Sequence, residues 1–78
     1  MELSIVIVNW NTRDLLKDCL ESVERHLCGV DAEVIVVDNA STDDSVDMVK
    51  RLFPKFHLIV NSENRGFAAA NNQGFEYA

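Results

Sequence analysis

No apolar run in this 78-residue sequence reaches the roughly 18 residues that a helical membrane span needs, so no transmembrane segment is expected. Cysteine is scarce: Cys19 and Cys28 stand nine residues apart, with no C-x-x-C pair and no histidine at metal-ligand spacing. That pattern argues against zinc and makes a poor disulfide framework, so both thiols are expected to be reduced packing residues. Basic residues are few as well, seven Lys and Arg against thirteen Asp and Glu, for a formal charge of -6. Without a Lys/Arg stripe to neutralise a phosphate backbone, nucleic acid is not an expected partner. One phosphate-bearing small molecule remains compatible, because a helix N-terminus and a single arginine can hold it locally. Neither G-x-G-x-x-G nor G-x-x-x-x-G-K-[ST] occurs, which speaks against a dinucleotide Rossmann site and a P-loop. No serine sits in a G-x-S-x-G elbow, and His26 and His57 lack a spaced nucleophile partner. Met1 leads directly into a strand pattern without the basic n-region of a signal peptide, so the expected compartment is the cytosol.

What is present is the composition of a folded chain, 47% hydrophobic and 26% charged, which gives disorder and low-complexity readings no support. At this length there is room for one domain at most, since so short a chain buries only roughly 60% of its unfolded surface. Short β-branched runs alternate with longer stretches whose apolar residues recur at helical spacing, the signature of βαβ units. The runs Leu3 to Val8, Glu33 to Val37 and Phe56 to Val60 are nearly continuous in Val and Ile, as parallel strands buried on both faces require. Leu15, Leu16, Cys19, Leu20, Val23 and Leu27 fall on one side of a first helix that Asn11 or Thr12 can cap. Ser41 and Asp44 have capping-box spacing for a second helix, whose apolar face is Val46, Val49 and Phe53 and which Pro54 ends. A third helix begins near Gly66 and runs to the chain end, weakened at Gly74 by about 1 kcal/mol relative to Ala. The expected order is βαβαβα, with the first strand in the middle of the sheet or at one edge and helices on the faces.

In open α/β sheets, ligands bind beyond the carboxyl ends of the strands. Three segments stand there: Asn9 to Thr12, Asp38 to Asp44, and Asn61 to Gly66. Asp38, followed by Asn39 and Ser41, can accept a hydrogen bond from a base N–H or a ribose hydroxyl; equally it can cap its own loop, and residue chemistry leaves both open. Asp43 and Asp44 are read as complements to a helix dipole, not as a metal pair, because adjacent residues in a first turn point in different directions. Arg65 and Gly66 form a plausible diphosphate contact, or a solvated side chain beside a backbone that needs glycine. Asn71 or Asn72 can turn inward to the loop after the first strand or stay on the surface. Trp10 can stack on a base or cover the sheet end.

In order and separation, SIVIVNWNT, EVIVVDNASTDDS and LIVNSENRGFAAANNQGF resemble family 2 glycosyltransferases of the GT-A fold, most closely bacterial rhamnosyltransferase-like members. The resemblance spans essentially the whole chain. It implies an α/β, three-layer, parallel-sheet, Rossmann-like nucleotide-binding half of a GT-A domain, covering residues 1–78. It also implies sugar transfer from a UDP- or dTDP-sugar to an acceptor hydroxyl in cell-surface polysaccharide synthesis, at the inner face of the membrane for the full-length protein. By the same resemblance Val8, Asn9 and Asn11 lie against base and ribose, Asp38 with the Ser41 of its loop contacts the nucleoside, and Asn64, Gly66 and Asn71 close the site. Arg65 stands where the family varies. The family continues into a fourth strand with a DxD-type motif that holds Mg²⁺ or Mn²⁺, and to a later catalytic base. The sequence here contains neither, so no catalytic residue, metal ligand or bound metal is expected within it, and the portion is expected to be inactive alone. The alternative is a non-catalytic nucleotide-binding or interaction module of the same fold. Self-association through an exposed sheet edge is a further expectation.

Overall fold

The computed structural model describes residues 3–78; Met1 and Glu2, and the expectation about what leads into the first strand, lie outside the described residues. Six elements follow in order: β1 (Leu3–Asn9), α1 (Arg13–His26), β2 (Ala32–Asp38), α2 (Ser45–Leu52), β3 (His57–Val60) and α3 (Phe67–Tyr77). The three strands form one parallel sheet in the order β1-β2-β3, so β2 is central and β1 takes an edge. The register pairs Leu3 with Ala32 and ends on Asn9 opposite Asp38, with Asp38 in turn opposite Val60. All three carboxyl ends are therefore level.

Central position explains why β2 is the most deeply buried strand. Val34, Ile35, Val36 and Val37 are each at most 4% exposed, and burying one such side chain is worth about 1.5–3 kcal/mol. Their alternation separates two cores. Val34 and Val36 meet Leu16 and Leu20 of α1, and Met48 and Val49 of α2, with Phe53 beyond. Ile35 and Val37 meet Ala70 of α3 on the other face. The architecture is thus three-layered, as expected.

Two crossovers that step the same way across a sheet with the same hand put their helices on one face, where α1 and α2 lie. After β3 the chain reverses, and α3 returns over β1 and β2 on the opposite face. This return passes close to β1 at Gly74, where an added Cβ would overlap Val6 Cγ1 and crowd Val37. The glycine that weakens α3 in isolation is what lets it dock.

Several local expectations are corrected. The second helix starts at Ser45, not at the Ser41–Asp44 capping box. Asp44 sits at the N-cap in the left-handed region (φ 68°) without a side-chain cap, while Asp43 Oδ1 accepts from the Ser45 amide at 3.2 Å and hydroxyl at 2.5 Å. Ahead of α1, Thr12 holds the N-cap position, but its hydroxyl donates to Asn9 Oδ1 (2.6 Å) instead of capping the helix. Cys19 and Cys28 are free but exposed, not packing residues, and Leu15 is 71% exposed. The third strand opens at His57 because the Phe56 amide donates back to the Phe53 carbonyl at 3.1 Å, where the two rings stack with centroids 5.6 Å apart.

Candidate functional site

The reversal after β3 creates a crevice at the carboxyl ends of the strands, between the β1–α1 turn and the start of α3. It is a cleft of about 390 Å³ bordered by Val8, Trp10, Thr12, Asn39, Asn64, Gly66 and Phe67. This is the position at which open α/β sheets take their ligands, where successive connections leave toward opposite faces. Two aromatic side chains stand at its rim, Trp10 at 54% and Phe67 at 70% exposure. The first turn of α3 presents backbone amides without intrahelical partners on the same side. Gly66, at φ 83° and ψ 164°, makes the turn into that helix, a backbone geometry that a side chain disfavours.

Of the sequence-derived candidates, Val8, Asn64 and Gly66 border this cleft. Asn9, Asp38 and Ser41 stand behind it. Asp38 is 1% exposed, and its carboxylate accepts three internal hydrogen bonds. Oδ1 receives Asn9 Nδ2 at 2.9 Å and the Ser41 hydroxyl at 2.7 Å, and Oδ2 receives the Ser41 amide at 2.9 Å. Ser41 Oγ in turn accepts from the Asn11 amide (2.9 Å), while Asn11 Oδ1 accepts from the Thr42 amide (2.7 Å). The residues of the first two segments therefore act as one unit that clasps the β1 turn to the β2 turn. Asn11 (φ 52°) and Ala40 (φ 65°) both take left-handed backbone within that clasp.

A second carboxamide chain ties the third segment down, and sequence reasoning missed it. Asn39 is 2% exposed; its Nδ2 donates to the Gly66 carbonyl at 3.2 Å, and its Oδ1 accepts from the Arg65 amide (3.2 Å) and from Asn61 Nδ2 (3.0 Å). Asn61, 5% exposed, forms a reciprocal pair with Gln73 of α3, both bonds at 2.9 Å. The inward carboxamide of α3 is thus Gln73; of the two readings open for Asn71 and Asn72, Asn72 lies on the surface and Asn71 is half-buried. Arg65 is exposed, and among the described residues no ion pair holds its guanidinium. No buried side-chain N or O among the described residues is left without a partner.

The acidic pair after Ser41 is occupied structurally. Asp43 is held below the usual carboxylate range chiefly by the Ser45 hydroxyl, against an opposing effect of burial and with help from the Arg13 and Ser45 amides. Asp44 lies 3.9 Å from the Arg13 guanidinium. Among the described residues no group of three or more His, Cys, Asp and Glu could hold a metal ion.

Residues 4–78 match the model of the glycosyl transferase family 2. The chain is 35% identical over its whole length to the uncharacterized glycosyltransferase YfnE of Bacillus subtilis, spanning 20% of that protein. It is 39% identical over 61 residues, 77% of the chain, to the poly(ribitol-phosphate) beta-glucosyltransferase of Bacillus spizizenii, of which it spans 10%. Over 96% of its length it is 35% identical to a PGL/p-HBAD biosynthesis glycosyltransferase of Mycobacterium tuberculosis, of which it spans 30%. Among solved structures, a mannosyltransferase from Pyrobaculum calidifontis in complex with GDP-Man and Mn²⁺ superposes with a TM-score of 0.75 and 28% identity, over 97% of this chain and 24% of that one. With the family model matched across nearly every residue and a fold shared with that mannosyltransferase, the chain belongs to the family 2 glycosyltransferases.

Proposed function

We propose that this chain is the donor-nucleotide part of an enzyme that moves a sugar from a nucleoside diphosphate to an acceptor hydroxyl in cell-surface polysaccharide synthesis. The observation that carries the reading is the cleft at the sheet's reversal point, which joins an apolar and aromatic wall to the open end of a helix. A base would lie against Val8 and Trp10, and a diphosphate against the first amides of α3 beside Asn64 and Gly66, with Arg65 free to swing over it. Asp38 has about four acceptor positions, of which three are used internally, so one remains for a base N–H or ribose hydroxyl. Asn9, Asn11 and Ser41 hold that carboxylate and the turn that carries Trp10.

A nucleotide-sugar donor is supported by the mannosyltransferase, which is similar in fold and holds GDP-Man and Mn²⁺. A UDP- or dTDP-sugar is the donor this reading favours, with a rhamnosyltransferase-like chemistry in the cytosol, at the inner face of the membrane. The Mg²⁺ or Mn²⁺ it calls for would be held by ligands other than those described here, and Asn71 would support the α3 side of the site.

The test is an amide NMR titration of the 78-residue chain with UDP, dTDP and GDP, each with and without Mg²⁺. Concerted shifts at Val8, Asn64 and Gly66 with one of these nucleotides are expected. A dispersed spectrum that none of them perturbs would overturn donor binding by this portion and favour an interaction module of the same fold. A transfer assay with donor, metal and this chain alone should stay at the no-protein background.

A further inference from the structure

Asn39 borders the cleft and is nevertheless buried, with both ends of its carboxamide committed to the loop that opens α3. Its Nδ2 holds the carbonyl of Gly66 and its Oδ1 the amide of Arg65, so one side chain grips two successive residues of the β3–α3 connection. Asn61 and Gln73 extend the grip, anchoring the same Oδ1 to the end of β3 and to the middle of α3. Without these bonds the turn around Gly66, whose backbone is in a sparsely populated region (φ 83°), keeps only bonds within its own connection: the local Asn64 Oδ1 contact to the Gly66 amide at 2.8 Å and the first helical bond from the Ala70 amide to the Gly66 carbonyl at 3.2 Å. We infer that Asn39 is a positioning residue for the diphosphate end of the cleft: through Arg65 and Gly66 it fixes where the free amides of α3 point. The inference rests on the nucleotide-binding reading above and extends it to a residue that does not itself touch the ligand.

The carboxamide is needed in full, not merely a polar group of that size. An aspartate at this position keeps the acceptor for Arg65 and Asn61, but its second oxygen would face the Gly66 carbonyl where a donor now stands. The grip on Gly66 would become a repulsion while the rest of the clasp survives. Asn39→Asp therefore separates positioning from folding, and Asn39→Ala, which removes both contacts, provides the stronger perturbation.

The experiment has two independent arms on the full 78-residue chain. In the first, without ligand, amide hydrogen exchange at Arg65 is compared among the wild type, Asn39→Asp and Asn39→Ala. Exchange about tenfold faster at Arg65 in Asn39→Ala, with β2 protection retained, is expected for the loss of the hydrogen bond that Asn39 Oδ1 accepts there, and Asn39→Asp should fall between the two. Unchanged exchange there would overturn the inference whether or not a nucleotide binds. In the second arm, UDP, dTDP and GDP are titrated beside uridine, thymidine and guanosine. The gain in affinity from nucleoside to diphosphate should fall about tenfold in Asn39→Asp, with nucleoside affinity changed by less than about threefold. An equal loss for nucleoside and diphosphate would make Asn39 a general stabiliser and overturn positioning. If the wild type binds none of the six, the functional reading fails, and the exchange arm still decides whether Asn39 holds the loop.

Discussion

At the scale of single residues, Asp38 is the side chain on which the two readable turns depend. Its carboxylate is desolvated, so losing it would leave the Ser41 amide and hydroxyl without that acceptor and Asn9 Nδ2 with only the longer bond to Ser41 Oγ at 3.2 Å. An unsatisfied buried donor costs about 1–3 kcal/mol. Asp38→Ala should therefore lower the unfolding free energy by about 3 kcal/mol or more, and Asp38→Asn by about 1–3 kcal/mol, because one carboxamide end then presents a donor to the Ser41 amide. Urea unfolding at neutral pH measures both, and an Asp38→Ala variant as stable as wild type would contradict the clasp. The strand-end aspartate was legible in the sequence because a charged residue closing a Val/Ile run stands out. Its partners Asn9 and Ser41 were legible only as neighbours in their own turns, since hydrogen bonds between residues about thirty positions apart depend on register. The bonds joining Asn39, Asn61 and Gln73 were not legible: a carboxamide chain across three elements has no spacing rule in one sequence.

At the scale of elements, β-branched runs and apolar periodicity place all six pieces within a few residues, while the helix starts are less regular. The Ser41–Asp44 spacing has the form of a capping box, yet α2 begins four residues after Ser41 because Asp38 uses that serine and Asp43 takes over the Ser45 amide. Spacing alone could not show that the serine was already engaged. Because the folded pKa of Asp43 is lowered, its contribution is fully present above the unfolded value of 3.8 and is lost as pH falls through the lower folded value. The stability difference between wild type and Asp43→Asn should thus be largest at neutral pH and shrink well below pH 3.8. A difference that does not change with pH in paired urea titrations would rule out the ionised cap. For α3, Gly74→Ala sets helix propensity against packing. Propensity favours alanine by about 1 kcal/mol, and forcing a methyl into a closed contact costs about 1–3 kcal/mol. The overlap falls on Val6 in the body of β1, so packing should dominate and the variant should be less stable than wild type. Adding Val6→Ala should recover part of the loss as a favourable coupling in a double-mutant cycle, and strictly additive losses would refute the close approach.

At the scale of the whole molecule, β1 is an edge of a three-stranded sheet, and among the described residues no strand pairs with the backbone groups along its outer side. Edge strands are usually protected by lysine, proline or a bulge. LSIVIVN has no charged residue and no proline, and it pairs in unbroken register along its whole length. A second copy could therefore add its own β1 alongside. The opposing influence is the formal charge of -6, which repels one chain from another but is screened by salt. Association should accordingly be weak at low ionic strength and rise as salt is added, the reverse of an assembly held by ion pairs. We predict that light scattering at ~100 μM, a range in which exposed strand edges associate, gives a mass above the 8.8 kDa monomer, increasing with salt. Ser4→Lys places a positive charge on the edge strand opposite Glu33, where the present hydroxyl bond spans 2.9 Å. The substitution leaves the cores untouched and should return the scattering mass to that of the monomer. A wild-type chain that stays monomeric at high salt would mean that this edge is not sticky, whereas association that Ser4→Lys leaves unchanged would assign the contact to another surface, such as the one bearing Phe67 and Phe75, both more than half exposed.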